Sequence, residues 1–394
     1  MATTQSQFSP GLANYFCKLK INNIDVPVDS ISSIVIRNWI FDVIPRIELT
    51  IQDNGTFCEI YPLTDATEIL LEIGKSKESN HITTTFILDN YAIDILAGNS
   101  SNIITITGFL KYNDFFFPVH TRAFKNQTSI SVLEKIAGEA GWTVNNVIPS
   151  QSNDKMSWLQ INSSNYDFLQ HVLKRSSITN DLLIAYAKFN STFIITSLKT
   201  AISQSFLKTC RFDLKKAAAD VLTDKNDAMV LWTNGYKVDS IAGYLNKIGG
   251  YGLTSSFYDM TSAKTLSSAI DSHPLAKYKS NQSYIGKFVD SINYGSLNAN
   301  MSNNYYKGQI TNRNLMASQF GTMITAKINP LALNKVNLMD VINFTMPSIN
   351  ARQNNEIYSG DYLVCGMVAY SSKSSPLQLE INLLRNGRNK SAIV

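Results

Sequence analysis

The residues best suited to proton transfer or metal ligation near neutral pH are the four histidines His81, His120, His171 and His273. Their spacing assembles neither chemistry, because no HExxH or HxH pattern sets two imidazoles on one face. His171, beside Val172 in a helical stretch, reads as a surface or core-edge residue. There is no GxSxG elbow for an acyl enzyme and no GxxxxGKS or GxxxxGKT for a phosphate cradle. Gly249-Gly250-Tyr251-Gly252 is not a dinucleotide fingerprint and reads as a tight or flexible loop. Glycoside hydrolysis needs two carboxyl groups about 5–10 Å apart. Asp89 with Asp94, and Glu356 with Asp361, fit on spacing, yet 30 acidic residues spread over a β-rich chain yield such pairs by chance. The expectation is a non-enzymatic chain with no catalytic, cofactor-binding or metal-binding residue and no cofactor.

Two further groups have plain readings. Phe115-Phe116-Phe117-Pro118 reads as a buried strand end, and Arg385, Arg388 and Lys390 as a solvated basic tail. Cys17, Cys58, Cys210 and Cys365 lie far apart without a CxxC pair, which argues against a disulfide framework or zinc site and suits a reducing compartment.

Composition narrows the class. The chain has 394 residues, 44% of them hydrophobic and 16% charged. That apolar share excludes disorder, and the charged share is well below the usual figure of about 25%. Asn, Ser and Thr replace the missing charge and suit the solvent faces and turns of β-structure that must approach other protein surfaces. Net charge is +5, with basic residues scattered, which disfavours a nucleic-acid reader. The first residues carry no cationic region before an apolar core, and no run reaches about 18 apolar residues, so a soluble, unprocessed protein is expected.

The elements that would position any site follow from periodicity. Tyr15, Cys17, Leu19 and Ile21 alternate with polar residues, as do Ile47, Leu49 and Ile51; further β-runs lie at 68–73, 84–94 and 103–110, with turn chemistry at Asp53-Asn54-Gly55 and Gly98-Asn99-Ser100. The period then changes. Ile130, Leu133, Ile136, Ala137 and Ala140 share one helical face, with Thr128, Ser129 or Ser131 as cap and Gly141 as stop. Phe168, Leu169, Val172 and Leu173 mark a second helix entered at Ser164 and Asp167, and 182–188 and 192–198 read as a hairpin. The β-pattern resumes near 228–232 and breaks at Asn234-Gly235. After a long polar stretch, strands return around 324–328, 340–346, 362–370 and 377–383. The fold class is α+β, mainly β: two antiparallel β-barrel domains, a small α/β domain between them, and a subdomain inserted in the second barrel. The expected limits are 1–112, 113–204, 205–235 with 307–386, 236–306 for the insertion, and a tail at 387–394.

The order of segments carries a resemblance. Thr121-Arg122-Ala123-Phe124-Lys125-Asn126-Gln127-Thr128, the helix from Ile130 to Ala137, and Ala140-Gly141-Trp142 resemble the stretch after the first barrel of phage tail hub proteins. Asn165-Tyr166-Asp167-Phe168-Leu169, the hairpin at 182–198, and Gly360-Asp361-Tyr362-Leu363-Val364-Cys365-Gly366 through Tyr370 are similar to later segments of that family. It comprises baseplate hubs of T-even-like tails, late-control D proteins, and the amino-terminal part of the type VI secretion spike. The resemblance implies a homotrimer whose two barrels per chain form a pseudo-sixfold ring with an axial channel, joining a sixfold tail tube to a threefold spike. Its implied partners are the tail tube protein, a separate central spike protein, tape-measure protein and baseplate wedge proteins. DNA would only pass through the channel, and no stable membrane insertion is implied. The implied location is the virion tail baseplate, assembled in the host cytoplasm. The competing readings are a receptor- or carbohydrate-binding β-protein of the tail tip and a cell-wall hydrolase using a carboxylate pair.

Overall fold

A computed structural model describes residues 16–53, 55–74, 81–94, 102–149, 151–179, 181–203, 208–212, 222–223, 229–240, 253–260, 262–269, 289–290, 296–297, 300–319, 321–332, 335–346, 355–373 and 375–387. The turn at Gly98-Asn99-Ser100, the run Gly249-Gly250-Tyr251-Gly252, His273, Arg388 and Lys390 lie outside these residues.

The first β-module holds β1 (Phe16–Ile21), β2 (Ile24–Val26), β3 (Ile31–Trp39), β4 (Arg46–Asp53), β5 (Glu68–Gly74), β6 (His81–Asp94) and β7 (Asn102–Leu110), with the short α1 (Phe57–Ile60) after β4. Across the sheet they run β2-β1-β5-β6-β7-β4-β3, every neighbour antiparallel. In β4 the buried Ile47, Leu49 and Ile51 alternate with Arg46, Glu48 and Thr50, as a period of two requires. A 3-10 turn at Val28–Ser30 touches both β1 and β4, so the sheet curls around its apolar face.

The α/β unit contains β8 (His120–Gln127), α2 (Ser129–Glu139), β9 (Thr143–Asn146), β10 (Met156–Ser163), α3 (Asn165–Arg175), β11 (Leu183–Ala187), β12 (Thr192–Ser197) and α4 (Leu198–Ser203). Thr128 caps α2, its hydroxyl accepting from the Ser131 N–H, and Gly141 follows the helix at φ +82. Ser164 caps α3 by accepting from the Asp167 N–H at 3.0 Å. Both helices bury their predicted faces around Phe115, Trp142 and Trp158. The pairing of β8 with β10 is not evident from periodicity. Trp158 and Gln160 are buried while Leu159 and Ile161 are exposed, so apolar residues on both faces hide the alternation.

The second β-module holds β13 (Lys208–Phe212), β14 (Leu222–Thr223), β15 (Met229–Ser240), and, after an insertion, β20 (Thr322–Ile328), β21 (Val341–Thr345), β22 (Gly360–Ser372) and β23 (Ser375–Arg385). The circuit β22-β21-β13-β15-β20-β23 returns to β22, a closed six-stranded barrel. β13 runs parallel to β15 and β21 while the other neighbours in the circuit are antiparallel. The α/β unit, not a hairpin, delivers β13, so nothing constrains it to oppose its neighbours. The strand expected to break at Asn234-Gly235 continues to Ser240, because that turn signal is spent on a bulge between Thr233 and Gly235.

Within the insertion, β16 (Leu253–Asp259) and β17 (Lys264–Ala269) form an antiparallel pair, joined by the short β18 (Val289–Asp290) and β19 (Ser296–Leu297). Helix α5 (Asn304–Gln319) then lies against α3. Its sequence has no apolar stripe. The close approach is made at Gly308, where a Cβ would sit 2.6 Å from the Arg175 carbonyl oxygen, and Asn312 Nδ2 donates to the carbonyls of Leu173 and Ser176. Those carbonyls end α3 and need partners from outside the helix.

Arg385 corrects the solvated-tail expectation. It is 2% exposed, stacks over Tyr362, and donates to the carbonyls of Gly387, Ser359 and Ile357. Of the aromatic run, Phe115 is buried as expected, whereas Phe117 is 78% exposed.

Candidate functional site

The two β-modules repeat one strand layout in chain order. β3, β4, β5, β6 and β7 correspond to β15, β20, β21, β22 and β23. In each module the fourth-type strand pairs the third and seventh, the seventh pairs the sixth, and the sixth pairs the fifth. The register repeats too. Arg46 opposite Phe109 and Ile47 opposite Gly108 match Met323 opposite Leu384 and Ile324 opposite Leu383. β6 skips a residue between Leu88 and Asn90, and β22 skips one at the equivalent place between Val364 and Gly366. β3 is bulged between Ile31 and Ser33, and β15 between Thr233 and Gly235. Bulges twist and re-aim a strand, so matched bulges give the two sheets matched bends.

Among the described residues, one strand pairing joins the sheets of the two modules. The first residues of β22, Gly360–Leu363, pair with β21; its last residues, Gly366–Ser372, pair antiparallel with β3 from Trp39 back to Ser33. Edge pairing satisfies N–H and C=O groups that an open strand would leave to water. Gly366 is required by closeness, since a Cβ there would fall 2.8 Å from Trp39 Cδ2. One face of the seam is apolar and covered: Met367 and Ala369 on β22, and Ile34 and Ile36 on β3, are all buried.

The equivalent edges elsewhere are open. β6 pairs with β5 from His81 to Ile87, and among the described residues no strand continues that edge along Asp89–Asp94. Tyr91 and Ile93 lie opposite the buried Ile106 and Ile104, on the core face, yet are 43% and 42% exposed. β15 pairs with β13 only from Met229 to Thr233, and among the described residues no strand takes Gly235–Ser240 on that side. Val238 there is half-buried, while its counterpart Ile36 is covered.

The candidate chemical residues do not converge. Asp89 and Asp94 are exposed on β6; Asp361 on β22 accepts from Asn343 Nδ2 at 2.8 Å, and Glu356 is exposed in the preceding turn. His81 opens β6 and His120 opens β8. His171 Nε2 lies 3.1 Å from the Tyr305 hydroxyl, its ring stacked on Phe168, and burial followed by the charges of Arg175 and Lys174 lowers its pKa to about 4. Arg175 in turn sits 4.3 Å above the Tyr305 ring, so this cluster fastens α5 to α3. No group of three or more metal-ligating side chains occurs among the described residues, and no helix there is long and apolar enough to cross a membrane. Among the described residues, the exposed aromatics Tyr91, Tyr258 and Tyr370 stand on separate strands and Phe117 in the loop before β8.

A polar cluster missed in the sequence ties β11 to the second module. Lys208 pairs with Asp340, and the Tyr186 hydroxyl donates to the Leu338 carbonyl at 2.9 Å. Lys188 beside them has its pKa lowered chiefly by burial and further by Lys208, against the opposing pull of Asp340. Its members are scattered along the chain, so no local pattern announces them.

No family model matches the sequence, and no curated protein matches it. Solved structures do. A tail protein from Neisseria meningitidis superposes with a TM-score of 0.56 at 10% identity, covering 96% of this chain and 98% of that one. The 43 kDa tail protein of prophage MuSo2 from Shewanella oneidensis superposes with a TM-score of 0.58 at 11% identity, covering 94% and 98%. A β-rich chain of duplicated modules thus shares its fold with these two tail proteins. That is the fold class the order of its segments led us to expect.

Proposed function

We propose that this chain is the structural hub of a phage tail baseplate. Three copies form a ring of six β-modules around an axial channel, and the ring joins a sixfold tail tube to a threefold central spike. The single observation that carries this reading is the register-matched duplication. Two modules with the same strand order and the same bulges offer two alike faces per chain, so a threefold assembly presents a near-sixfold surface. The head-to-tail use of different edges suits a closed ring. The likeness in fold to phage tail proteins supports the setting. In this reading the partners are the tube protein and a separate spike protein, with tape-measure and wedge proteins at the periphery. DNA only passes through, and assembly takes place in the host cytoplasm at the nascent baseplate.

The role is non-enzymatic, a reading supported by acids and imidazoles that remain dispersed over the described surface. The test is the mass of the purified chain by light scattering, together with electron micrographs viewed down the symmetry axis. The expected result is a trimer with a six-lobed ring and central hole. A chain that stays monomeric at tens of micromolar and binds neither tube nor spike protein overturns the reading.

A further inference from the structure

We infer that the ring closes through a specific strand pairing between copies: the outer half of β6 in one chain, Tyr91–Asp94, adds antiparallel to Lys237–Ser240 of β15 in the next. This deepens the hub reading and rests on it. Equivalence of the two modules points to it. Within one chain the third-type strand of the first module, β3, fills the outer edge of the sixth-type strand of the second module, β22. The same two strand types, β15 and β6, are left with those same edges open among the described residues.

Burial marks the missing cover. Met367 and Ala369 in the filled seam are 4% and 3% exposed, whereas their counterparts Tyr91 and Ile93 are more than 40% exposed on the core face of their sheet. A strand added there would set Val238 over Ile93 and the backbone at Ser240 beside Tyr91, and would satisfy the open backbone groups of both edges together.

The register can be transferred residue by residue. Val368 opposite Arg37, Ala369 opposite Ile36, and Tyr370 opposite Val35 become Ala92 opposite Asp239, Ile93 opposite Val238, and Asp94 opposite Lys237. Bulges and hydrogen-bond register alone fix this alignment, yet it sets two apolar residues face to face and brings the Asp94 carboxylate against Lys237, whose ammonium also lies 3.0 Å from Asp239 of its own strand. A shift by one residue would lose both matches and turn the apolar side chains to the wrong face. Each chain then has one seam within itself and one with each of its two neighbours, all of the same kind, so the contact repeats around the ring.

The experiment uses the full chain. Asp94→Cys and Lys237→Cys, both at exposed positions, are introduced together in a Cys58→Ser background and oxidised with dipyridyl disulfide. The expected products on a non-reducing gel are covalent dimers and trimers, while either single substitution gives neither. Independently, Asp94→Lys should weaken association at least about tenfold, and Asp94→Lys with Lys237→Asp should restore it, circular dichroism being unchanged throughout. A wild-type trimer whose double-cysteine form fails to cross-link and whose charge reversal leaves association unchanged overturns this seam and leaves the ring standing. A monomeric wild type overturns the hub reading itself.

Discussion

Thr67 and Asp340 occupy the same position in two copies of one turn. The Thr67 hydroxyl accepts from the Thr64 N–H at 2.8 Å, and the Asp340 carboxylate accepts from the Asn337 N–H at 2.8 Å. Each residue's carbonyl then accepts from the sixth-type strand, Leu88 N–H at 3.0 Å and Val364 N–H at 2.9 Å. The difference lies in charge. Thr67 closes its turn neutrally, whereas Asp340 also pairs with Lys208 where the second module meets the α/β unit.

The pair gives the first prediction. Asp340→Ala leaves a nearly buried ammonium and an uncapped turn, and should cost about 3–5 kcal/mol in urea unfolding. Asp340→Thr combined with Lys208→Met copies the neutral arrangement of the first module and should regain most of that loss, because a buried ion pair replaced by well-packed neutral groups is often close to neutral in stability. A double variant as unstable as Asp340→Ala would show that the charge itself is needed.

The seam gives the second. Gly366→Ala drives a methyl group into the Trp39 ring and should destabilise the chain by about 1–3 kcal/mol. Trp39→Leu in the same chain makes room and should recover part of it. Thermal unfolding of the three variants checks the order.

Acid sensitivity is predicted from His171. Its folded pKa of about 4 lies below the ordinary 6.5, so between these values the unfolded chain holds more protons than the folded one. Its contribution to stability is therefore complete above pH 6.5, declines as the pH falls toward 4, and is constant below. His171→Gln, which keeps a side-chain partner for Tyr305, should flatten the stability profile across that interval in denaturant titrations at stepped pH.

Thiol reactivity supplies the fourth. Cys17, Cys210 and Cys365 are buried, and burial pushes each thiol up to about 12; Cys58 is exposed. Titration with a chromogenic disulfide should label one thiol per native chain and four in denaturant. Rapid native labelling of more than one would mean that a core opens.

Much of the fold was legible because its signals are local. Alternation in β4, the Thr128 and Ser164 caps, and the stop at Gly141 are each set by a few neighbouring residues, and each element stands where periodicity put it. α5 was not legible, since its contact with α3 depends on Gly308 and Asn312 meeting carbonyls far away in sequence. Arg385 looked like a tail residue for the same reason: the carbonyls that hold it belong to the turn before β22.

Strand pairing divides in the same way. Local patterns in the chain were enough to read it as β-rich, poor in charge and without a local catalytic motif, with an order of segments that resembles tail hub proteins. The shared register and bulges of the two modules, the completion of β22 by β3, and the matching edges that β6 and β15 leave open among the described residues exist only in the folded chain. Side-chain periodicity is written between adjacent residues. Strand pairing is a relation between backbones hundreds of residues apart, and backbone groups are chemically alike at nearly every position.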